Sequence, residues 1–532
     1  MAEEEFEERT LDNGARVIFR MGDCSDPADL LKVSPNTARS IVLLSPECDE
    51  DNQADAMVMA RAMVLISLEV KAPIITEIQD KDNITVVRKM LRAQDADGSQ
   101  VVPVAGDDVV GCMMVQAAFE PGLPKMVHNL LDYAEGDEME VYVQPIEAFP
   151  QLEGKKYNEA IFMFHGAVVL GVLAERVKGS KGCPQTCPMM LNPPDDFLFQ
   201  KGDKICTVVK NLTSFGFHEE PACYKRLNAA NLSIQNHLPQ RNVLLCNWRD
   251  DMEDIFKEID KRVGRGSVVT VISHQTAEER DELLERGGGL GKLNNIQINH
   301  VKGQTVKQSV LHKQICHQTY DAVLVFSDTV GHCSKTADAR AAVCSLLLRS
   351  LMQEDEDVQE EPTVLERGRK LVRSISQSSR VQHCRPQNHL GHDVCDIIVT
   401  EIKERKSLQL LRVTGVSQFV IANEVSSMMM VHMACRPELR HFWIDNIFSE
   451  KGDNMNIVRV DKYVDCSNRS MVRSMSFWDL LATCRVNGAT PIGYLKTSSA
   501  GRWRFNPMDK SVALGLQAKD LLVVVAPAPL MD

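Results

Sequence analysis

Long apolar runs are absent from this sequence. A helix that crosses a bilayer needs roughly 20 consecutive apolar residues, and the longest candidate here, Leu521 to Ala526, has the pattern of a buried strand. We therefore expect no transmembrane segment in the chain. Residues 1–8 are acidic, so a secretory signal peptide is not expected either.

Clustered positive charge and enzyme motifs are also missing. The net charge is −13, which disfavours nucleic acid as a partner because phosphate binding needs grouped cations. The 16 cysteines lack the dense, regular spacing of a small secreted scaffold, so we expect them to be reduced and mostly buried. The chain contains no P-loop, no nucleophile elbow and no His-Glu-x-x-His motif, which predicts that the protein is not an enzyme.

A long internal repeat is the most informative feature that is present. Residues 106–142 and 422–458 align without a gap, and Gly136 lies opposite Gly452 at an offset of 316 residues. The similarity continues outside these segments, where residues 54–56 match 337–339, 75–78 match 399–402 and 191–193 match 505–507. A period of this length indicates two copies of one module rather than a solenoid.

Each copy changes character halfway along. Its first half alternates apolar strands with helices, which predicts an α/β fold with a doubly wound, Rossmann-like parallel sheet. Its second half has short strands with little helix between them, which predicts a small α+β lobe. The predicted domains are a Rossmann-like lobe at 1–134 with its α+β lobe at 135–210, a linker at 211–240, and a second Rossmann-like lobe at 241–450 with its α+β lobe at 451–532.

Two irregularities distinguish the copies. The offset grows from 283 to 324 residues between the first two matching segments, so copy two carries an insertion of 41 residues at 353–393. Its acidic and then basic, Ser-rich composition predicts a disordered loop. Copy one has only 37 residues ahead of Ala38. If Arg16–Arg20 matches Ile296–Val301, copy one is truncated at its N-terminus, lacks two strands and leaves an unpaired sheet edge.

Several short segments, taken in their order, carry a family resemblance. They are residues 26–30, 38–43, 243–249, 423–428, 450–455, 491–494, 506–507 and 521–525. In these segments the chain resembles the cytosolic part of the CASTOR/POLLUX ion channels, which carries two tandem RCK (regulator of K⁺ conductance) domains.

The resemblance implies a gating ring, which sits below a membrane pore and converts ligand binding into a pull on the pore helices. It implies a regulatory part of a cation channel that supports ligand-gated ion transport and forms a homo-oligomer, either ring or dimer. The pore region would not be encoded in this chain. The implied location is the cytosolic face of a membrane, with the nuclear envelope as one candidate. An alternative is a free-standing, TrkA-like accessory subunit of a potassium uptake system that binds a nucleotide or an ion.

Calcium is the regulatory ligand that the resemblance favours. In calcium-gated channels with similar domains, carboxylates come from an Asp that opens one helix and a Glu that ends the next strand. These positions match Asp55 and Glu77 in copy one. The following turn offers a third carboxylate, Asp80 or alternatively Asp82, of which Asp80 is the candidate. The copy-two equivalents, Asp338 and Glu401, are weaker because Lys403 would repel a cation. The alternative for Asp55 and Asp338 is a helix-capping role.

Other binding sites receive less support from the sequence. A dinucleotide such as NAD needs a glycine-rich turn after the first strand, but copy two has Asn247-Trp248-Arg249-Asp250-Asp251 there. The sequence therefore disfavours NAD as a cofactor, and with it an oxidoreductase. Zinc is disfavoured at the histidines and cysteines of 383–395 because paired ligand spacing is missing. Cys183 and Cys187 are interpreted as reduced thiols. The methionine runs at 113–114 and 428–430 predict core packing.

Overall fold

The structure, a computed structural model, describes most of the chain between residues 7 and 526. The residues left out of the description within that span are 11–13, 15, 47–50, 93–100, 133–138, 179–186, 226, 231–237, 287–288, 317, 329–333, 361–396, 450–453 and 498–502. The chain divides into two compact units. One contains residues 1–108 and 426–440, and the other contains residues 109–425 and 441–532.

The first unit is built around a short parallel sheet. Its elements are a hairpin of β1 (Glu7–Thr10) and β2 (Arg16–Phe19), a sheet of β3 (Ile41–Leu43), β4 (Ile74–Ile78) and β5 (Val101–Ala105), and helices α1 (Pro27–Leu31), α2 (Asp51–Ser67) and α3 (Lys81–Arg92). The sheet buries Ile74 and Ile78 against Val58 and Leu65 of α2. Helix α4 (Gly106–Phe119) starts directly after β5.

One prediction for this unit is wrong. The strand at Arg16–Arg20 was expected to be the third parallel strand of copy one, but β2 pairs antiparallel with β1. The physical reason is the turn ahead of the strand. Gly14, between β1 and β2, has φ of 79°, and the Asn13-Gly14 pair is typical of a tight turn that joins two antiparallel strands.

The first part of the second unit holds a four-stranded antiparallel sheet. After α5 (Leu123–Leu131) come β6 (Glu140–Pro145), α6 (Tyr157–Ala160), β7 (Ala167–Leu173), β8 (Met189–Leu191) and β9 (Lys204–Val209). The strand order is β6-β9-β7-β8. This is the small lobe predicted for the second half of copy one.

A six-stranded parallel sheet follows along the chain. Its strands are β10 (Asn242–Cys246), β11 (Ser267–Ser273), β12 (Ile296–Lys302), β13 (Ala322–Val325), β14 (Ile398–Ile402) and β15 (Gln418–Ile421), in the order β12-β11-β10-β13-β14-β15. The connecting helices are α7 (Met252–Arg262), α8 (Ala277–Arg286), α9 (Gln308–Ile315), α10 (Ser334–Glu360) and α11 (Leu408–Thr414). This order, with the first strand central, is that of a Rossmann-like doubly wound sheet.

A second antiparallel sheet completes copy two. Helix α12 (Ala422–Cys435), α13 (Leu439–Phe442) and a π-helical turn (Trp443–Ile447) lead into it. The remaining elements are β16 (Asn454–Arg459), α14 (Val460–Tyr463), α15 (Arg469–Ser474), α16 (Phe477–Arg485), β17 (Thr490–Leu495), β18 (Arg504–Phe505) and β19 (Leu521–Ala526). The strand order β16-β19-β17-β18 repeats that of the first antiparallel sheet. Short 3-10 turns lie at Pro35–Thr37, Ile146–Ala148, Pro150–Leu152, Glu175–Val177 and Arg405–Ser407.

The two antiparallel sheets share a detail that depends on glycine. A register shift occurs at Gly171 in β7 and at Gly493 in β17. A Cβ atom on Gly171 would lie 2.4 Å from the Met190 carbonyl oxygen, and one on Gly493 would lie 2.5 Å from the Arg504 carbonyl oxygen. Any side chain at either position would therefore collide with the neighbouring strand. The mixed α/β fold with parallel sheets and small antiparallel lobes is the predicted fold class.

Parts of the predicted insert and of the predicted linker have regular secondary structure or bridge pairing among the described residues. Helix α10 continues to Glu360, so residues 353–360 of the predicted disordered insert are helical. The remainder of 353–393, including His383 and Cys384, lies outside the described residues. In the 211–240 segment, Phe217 bridges to Phe164 and Ala229 bridges to Val464. Among the described helices, none combines the length and hydrophobicity required to cross a bilayer.

Candidate functional site

The candidate calcium residues of copy one lie at the carboxyl end of β4 and on the helix before it. Asp55 is the fifth residue of α2 and is fully buried. Its carboxylate accepts hydrogen bonds from the backbone amides of Gln79 (2.8 Å) and Asp80 (3.0 Å) and from the side chain of Asn83 (2.8 Å). Asp55 therefore ties α2 to the turn that opens α3.

The other two carboxylates of copy one also accept backbone hydrogen bonds. Glu77 accepts from the Ser45 amide at 2.9 Å, and Asp80 accepts from the Asp82 amide at 2.9 Å. Both residues are partly exposed. No Lys or Arg pairs with Glu77 in the part of the chain that the structure describes, so its negative charge is not neutralised by a neighbouring cation there.

Copy two repeats this arrangement with a different electrostatic balance. Asp338 accepts hydrogen bonds from the Ser327 hydroxyl (2.7 Å) and from the amides of Lys403 (2.8 Å) and Glu404 (3.1 Å). Glu401, fully buried, accepts from the Arg249 guanidinium at 2.7 Å and lies 3.3 Å from the Lys403 ammonium. Its charge is already compensated within the protein.

These contacts bear directly on the two roles considered for Asp55 and Asp338. Both carboxylates accept amide hydrogen bonds in the turn that follows the next strand, so both act as caps. They cap that turn rather than the helix on which they stand. Carboxylate oxygens have about four acceptor positions between them, and three donors contact each of these groups. Calcium binding at Asp55, Glu77 and Asp80 stays a prediction.

The loop after β10 occupies the position where a Rossmann-like fold holds a dinucleotide phosphate. Asn247 has φ of 72°, a left-handed conformation that favours glycine and that Asn tolerates. Its side chain donates to the Phe326 carbonyl at 2.7 Å and accepts from the Thr305 hydroxyl at 2.5 Å. The amide side chain thus anchors the loop to the neighbouring strands.

Arg249 fills the interior of this loop. Its side chain is 4% exposed and contacts the Asp251 carboxylate at 2.7 Å as well as Glu401. The loop is also covered by α4 of copy one, because a Cβ atom on Gly111 would lie 3.0 Å from Asp251. A protein guanidinium and two carboxylates therefore lie where a glycine-rich turn would leave room for phosphates.

A cavity of about 660 Å³ lies beside α5 and the edge strand β15. At its polar end Glu424 contacts the Arg405 guanidinium at 2.7 Å and the His128 ring at 3.3 Å. The Gly122 amide donates to the Gln418 side chain at 2.9 Å, and the Trp503 ring lines the apolar part. The cavity combines an apolar wall with both signs of charge.

The two antiparallel lobes are joined by a reciprocal pair of hydrogen bonds. Asn192 of the first lobe donates to the Gly488 carbonyl of the second at 2.5 Å, and Asn506 of the second donates to the Gly166 carbonyl of the first at 2.6 Å. Both asparagines have positive φ, 46° and 37°. They occupy the matching Asn-Pro positions of the two copies, so the lobes contact each other through equivalent surfaces.

Two buried cations of copy two add to this contact. Arg485 donates to the Asn192 side chain, to the Pro193 carbonyl (2.8 Å) and to Asp195 (2.5 Å). Lys510 donates to the carbonyls of Phe164 (2.7 Å) and Ala167. Burial lowers the pKa of Lys510 well below its usual range. The contact surface is thus polar and specific rather than only apolar.

Sequence comparisons relate the chain to plant ion channels. A family model described as "Castor and Pollux, part of voltage-gated ion channel" matches residues 107–217. The chain is 26% identical to the ion channel CASTOR of Lotus japonicus, over 99% of this chain and 58% of that protein. It is 25% identical to the probable ion channel POLLUX of Oryza sativa subsp. japonica, over 97% of this chain and 50% of that protein. The predicted resemblance to CASTOR/POLLUX-type channels is confirmed, and the chain spans about half the length of these relatives.

Among solved structures, the fold matches the human SLO3 gating ring with a TM-score of 0.63. The match covers 96% of this chain and 91% of that chain at 12% sequence identity. At this identity the similarity concerns the fold alone. It agrees with the predicted pair of RCK modules, each a parallel sheet followed by a small α+β lobe.

Sequence reasoning missed Arg249, the residue that neutralises the predicted copy-two carboxylate Glu401. Arg249 and Glu401 are 152 residues apart in the chain, and nothing in their local patterns indicates that they pair. The reciprocal asparagines could have been found from the sequence. An Asn-Pro pair occurs at 192–193 and again at 506–507, which places the same polar residue at the same point of both copies.

Proposed function

We propose that this chain is the regulatory, gating-ring part of a CASTOR/POLLUX-like cation channel. The observation that carries the proposal is similarity to proteins named as ion channels along nearly the whole chain, together with a gating-ring fold. In this function the chain acts at the cytosolic face of a membrane, on a separate pore region, and it performs no chemistry. The alternative of an accessory subunit for potassium uptake is not favoured, because the similar proteins are named as channels.

The reciprocal contact between the antiparallel lobes supports a mechanical role. Asn192 and Asn506 each stabilise a backbone carbonyl of the opposite lobe, so the lobes move as a pair. A ligand that binds one parallel sheet more tightly in one arrangement of the lobes than in another shifts the population toward that arrangement. The size of the shift is set by the difference between the two affinities. We propose that the chain assembles as a homo-oligomer, ring or dimer, in which this bias is transmitted to the pore.

A chimaeric channel tests the proposal. The chain replaces the matching region of a CASTOR channel. Single-channel currents are recorded in planar bilayers while the concentration of the candidate ligand, Ca²⁺, is varied on the cytosolic side. We expect ligand-dependent open probability with unchanged unit conductance. A matched chimaera carrying Asn192→Gly and Asn506→Gly is expected to keep the conductance and to lose the ligand dependence. Currents that do not differ between these chimaeras would contradict a gating role.

We also propose that the loop after β10 does not bind a dinucleotide. Support comes from Arg249, Asp251 and Glu401, whose side chains fill the loop with their own ion pairs. A thermal-shift scan with NAD and with ADP tests this. No shift is expected for the unaltered chain at millimolar nucleotide, and a saturable shift abolished by Arg249→Met would contradict the proposal.

A further inference from the structure

A cluster of a thiol, an imidazole and a carboxylate lies away from the predicted calcium residues. The Cys187 sulfur is 3.8 Å from Nδ1 of His441, and that nitrogen is 2.7 Å from Oδ2 of Asp445. The three potential ligand atoms lie within 4.8 Å of one another. Cys187 is fully buried, and His441 is 6% exposed. These three types of side chain form a donor set that suits zinc.

The cluster brings together the two copies of the module. Cys187 lies two residues before β8 of the first antiparallel lobe, whereas His441 lies in α13 and Asp445 in the π-helical turn of copy two. An ion held by all three would therefore cross-link elements that are 254 residues apart. Metal binding at such a point stabilises the folded arrangement, because the unfolded chain does not preform the site.

The π-helical turn at Trp443–Ile447 is a second, independent sign of a site. Turns of this kind are rare, and they occur frequently at functional positions. The matching segment of copy one, α5, is a regular helix. At the offset of 316 residues its Lys125 and Asn129 stand opposite His441 and Asp445. The widened turn and the two ligands His441 and Asp445 occur together in copy two and have no counterpart in α5, so the fold itself does not require them.

Asn446, the residue after Asp445, adds an outer contact. Its fully buried side chain donates to the Cys187 sulfur at 3.5 Å and to the His441 carbonyl at 2.6 Å. The first of these bonds favours the thiolate form that a metal needs. Its Oδ1 atom has no hydrogen-bond partner among the described residues, which is unusual for a buried amide. A water on a bound ion would offer the type of donor that this oxygen lacks.

We propose that Cys187, His441 and Asp445 bind a zinc ion that ties the first antiparallel lobe to the π-helical turn of copy two. Ideal tetrahedral coordination, with bonds of about 2.3 Å to sulfur and about 2.1 Å to nitrogen, places those two atoms about 3.6 Å apart, close to the 3.8 Å observed. The Asp445 oxygen, 2.7 Å from Nδ1, has to move away from it by about 0.7 Å to coordinate the same ion. The remaining coordination position is available to water.

Metal titration of the full chain tests the site. The protein is first stripped of metal with a chelator, and binding of Zn²⁺ is then followed by metal analysis and by thermal unfolding. In a parallel sample Co²⁺ takes the place of Zn²⁺, and a sulfur-to-cobalt charge-transfer band reports a thiolate ligand. We expect one zinc per chain, a rise in Tm on zinc addition, and a charge-transfer band. Cys187→Ser is expected to abolish the band and Asp445→Asn to weaken binding by about tenfold or more. Cys206→Ser, a buried thiol elsewhere, is the matched control and should change neither.

The histidines and cysteines at 383–395 are a rival location for zinc and need their own variant. A chain with Cys384→Ala and Cys395→Ala is expected to keep the zinc stoichiometry and the charge-transfer band. Zinc binding that survives Cys187→Ser and is lost in the Cys384/Cys395 variant would overturn the proposal. Absence of zinc binding to the unaltered chain at micromolar concentrations would overturn it as well. Far-UV circular dichroism on every variant separates loss of the ligand from loss of the fold.

Discussion

The Arg249 guanidinium lies 2.7 Å from the Glu401 carboxylate, and both side chains are buried beneath the carboxyl ends of β10 and β14. This ion pair bears on both the dinucleotide prediction and the calcium prediction. It fills the loop where a dinucleotide phosphate would lie, and it neutralises the copy-two carboxylate that corresponds to Glu77 of copy one. One arginine therefore makes the two copies of the module electrostatically different.

Breaking this ion pair on one side should be costly. Arg249→Met leaves Glu401 buried with Lys403 at 3.3 Å as its remaining cation, and removal of one partner of a buried pair costs about 3–5 kcal/mol. We expect a loss of about 3 kcal/mol in the free energy of unfolding, measured by urea denaturation. The matched control is Arg241→Met, whose ion pair with Asp321 is longer, at 3.5 Å, and whose loss should cost under about 1 kcal/mol.

The double variant Arg249→Met with Glu401→Gln separates burial of charge from packing. It removes both charges, so its stability should lie closer to that of the unaltered chain than that of Arg249→Met does. If the double variant is less stable than Arg249→Met, then Glu401 is stabilised by contacts other than the arginine, and the electrostatic account of this site is wrong.

The paired asparagines should make unequal contributions. Glycine at either position keeps the positive φ and deletes the side-chain bond, which leaves a backbone carbonyl of the opposite lobe unsatisfied at a cost of about 1–3 kcal/mol. Asn192 also accepts hydrogen bonds from Arg485 and Thr490. We therefore expect Asn192→Gly to lower the free energy of unfolding more than Asn506→Gly does.

Chemical denaturation of both glycine variants measures this difference, and Asn158→Ala, at an exposed helical position, is the control. Alanine at 192 or 506 should cost a further ~1–2 kcal/mol, because a Cβ atom is strained at positive φ. Equal losses for the two glycine variants would mean that the Arg485 contact does not depend on Asn192.

Much of the architecture could be predicted because it depends on local patterns. Strands such as β10, β13 and β19 consist largely of continuous apolar runs, and the repeat indicated which elements of the two copies correspond. The pairing of β2 could not be predicted in this way, because a four-residue strand has the same appearance in a hairpin and at the edge of a parallel sheet. The available signal was the Asn13-Gly14 pair ahead of the strand, a sequence typical of hairpin turns.

The candidate sites were less predictable because they depend on contacts over long separations. Positions 55 and 77 follow from the family resemblance, and the repeat gives their copy-two equivalents. Two of the three hydrogen bonds to Asp55 come from the backbone of a turn, which any sequence would supply. The cluster of Cys187, His441 and Asp445 joins two copies whose mutual placement the sequence does not specify. The π-helical turn that positions Asp445 has no sequence pattern of its own.

A pH dependence of stability should originate at Glu120, which follows α4. Its carboxylate accepts from the Ile457 amide at 3.0 Å, and burial raises its pKa to about 7 against the opposing effects of Arg262, that hydrogen bond and Lys462. The unfolded chain titrates near the ordinary value of 4.5. Between these values the folded protein binds more protons than the unfolded chain, so this group reduces stability as the pH rises from about 4.5 to 7.

Glu120→Gln should remove that loss. In urea denaturation at pH 5 and pH 8, the stability of the Gln variant relative to the unaltered chain should increase at the higher pH. Glu253, whose pKa burial also raises to about 7, is present in both proteins and cancels in the comparison. Glu153→Gln, at an exposed position, should show the same difference at both pH values. A relative stability that falls from pH 5 to pH 8 would contradict the assigned sign.

Calcium, if it regulates this chain, should act through copy one. Glu401 is neutralised by Arg249 and Lys403, whereas Glu77 accepts one backbone hydrogen bond in the described structure and is partly exposed. Asp55 is engaged by three donors, so the site offers few uncommitted oxygens. We therefore predict weak binding, with Kd on the order of 1 mM, as in the weakest calcium modules.

Calorimetry with Ca²⁺ on the chelator-treated chain measures this binding. The heat signal should disappear in Glu77→Gln, weaken in Asp80→Asn, and persist in Glu401→Gln, which serves as the matched copy-two control. Loss of the signal only in Glu401→Gln would reverse the assignment and would require Arg249 to leave the carboxylate when calcium binds. Absence of any signal in the unaltered chain would leave Asp55 as a structural cap, because its three hydrogen bonds already satisfy the carboxylate without a cation.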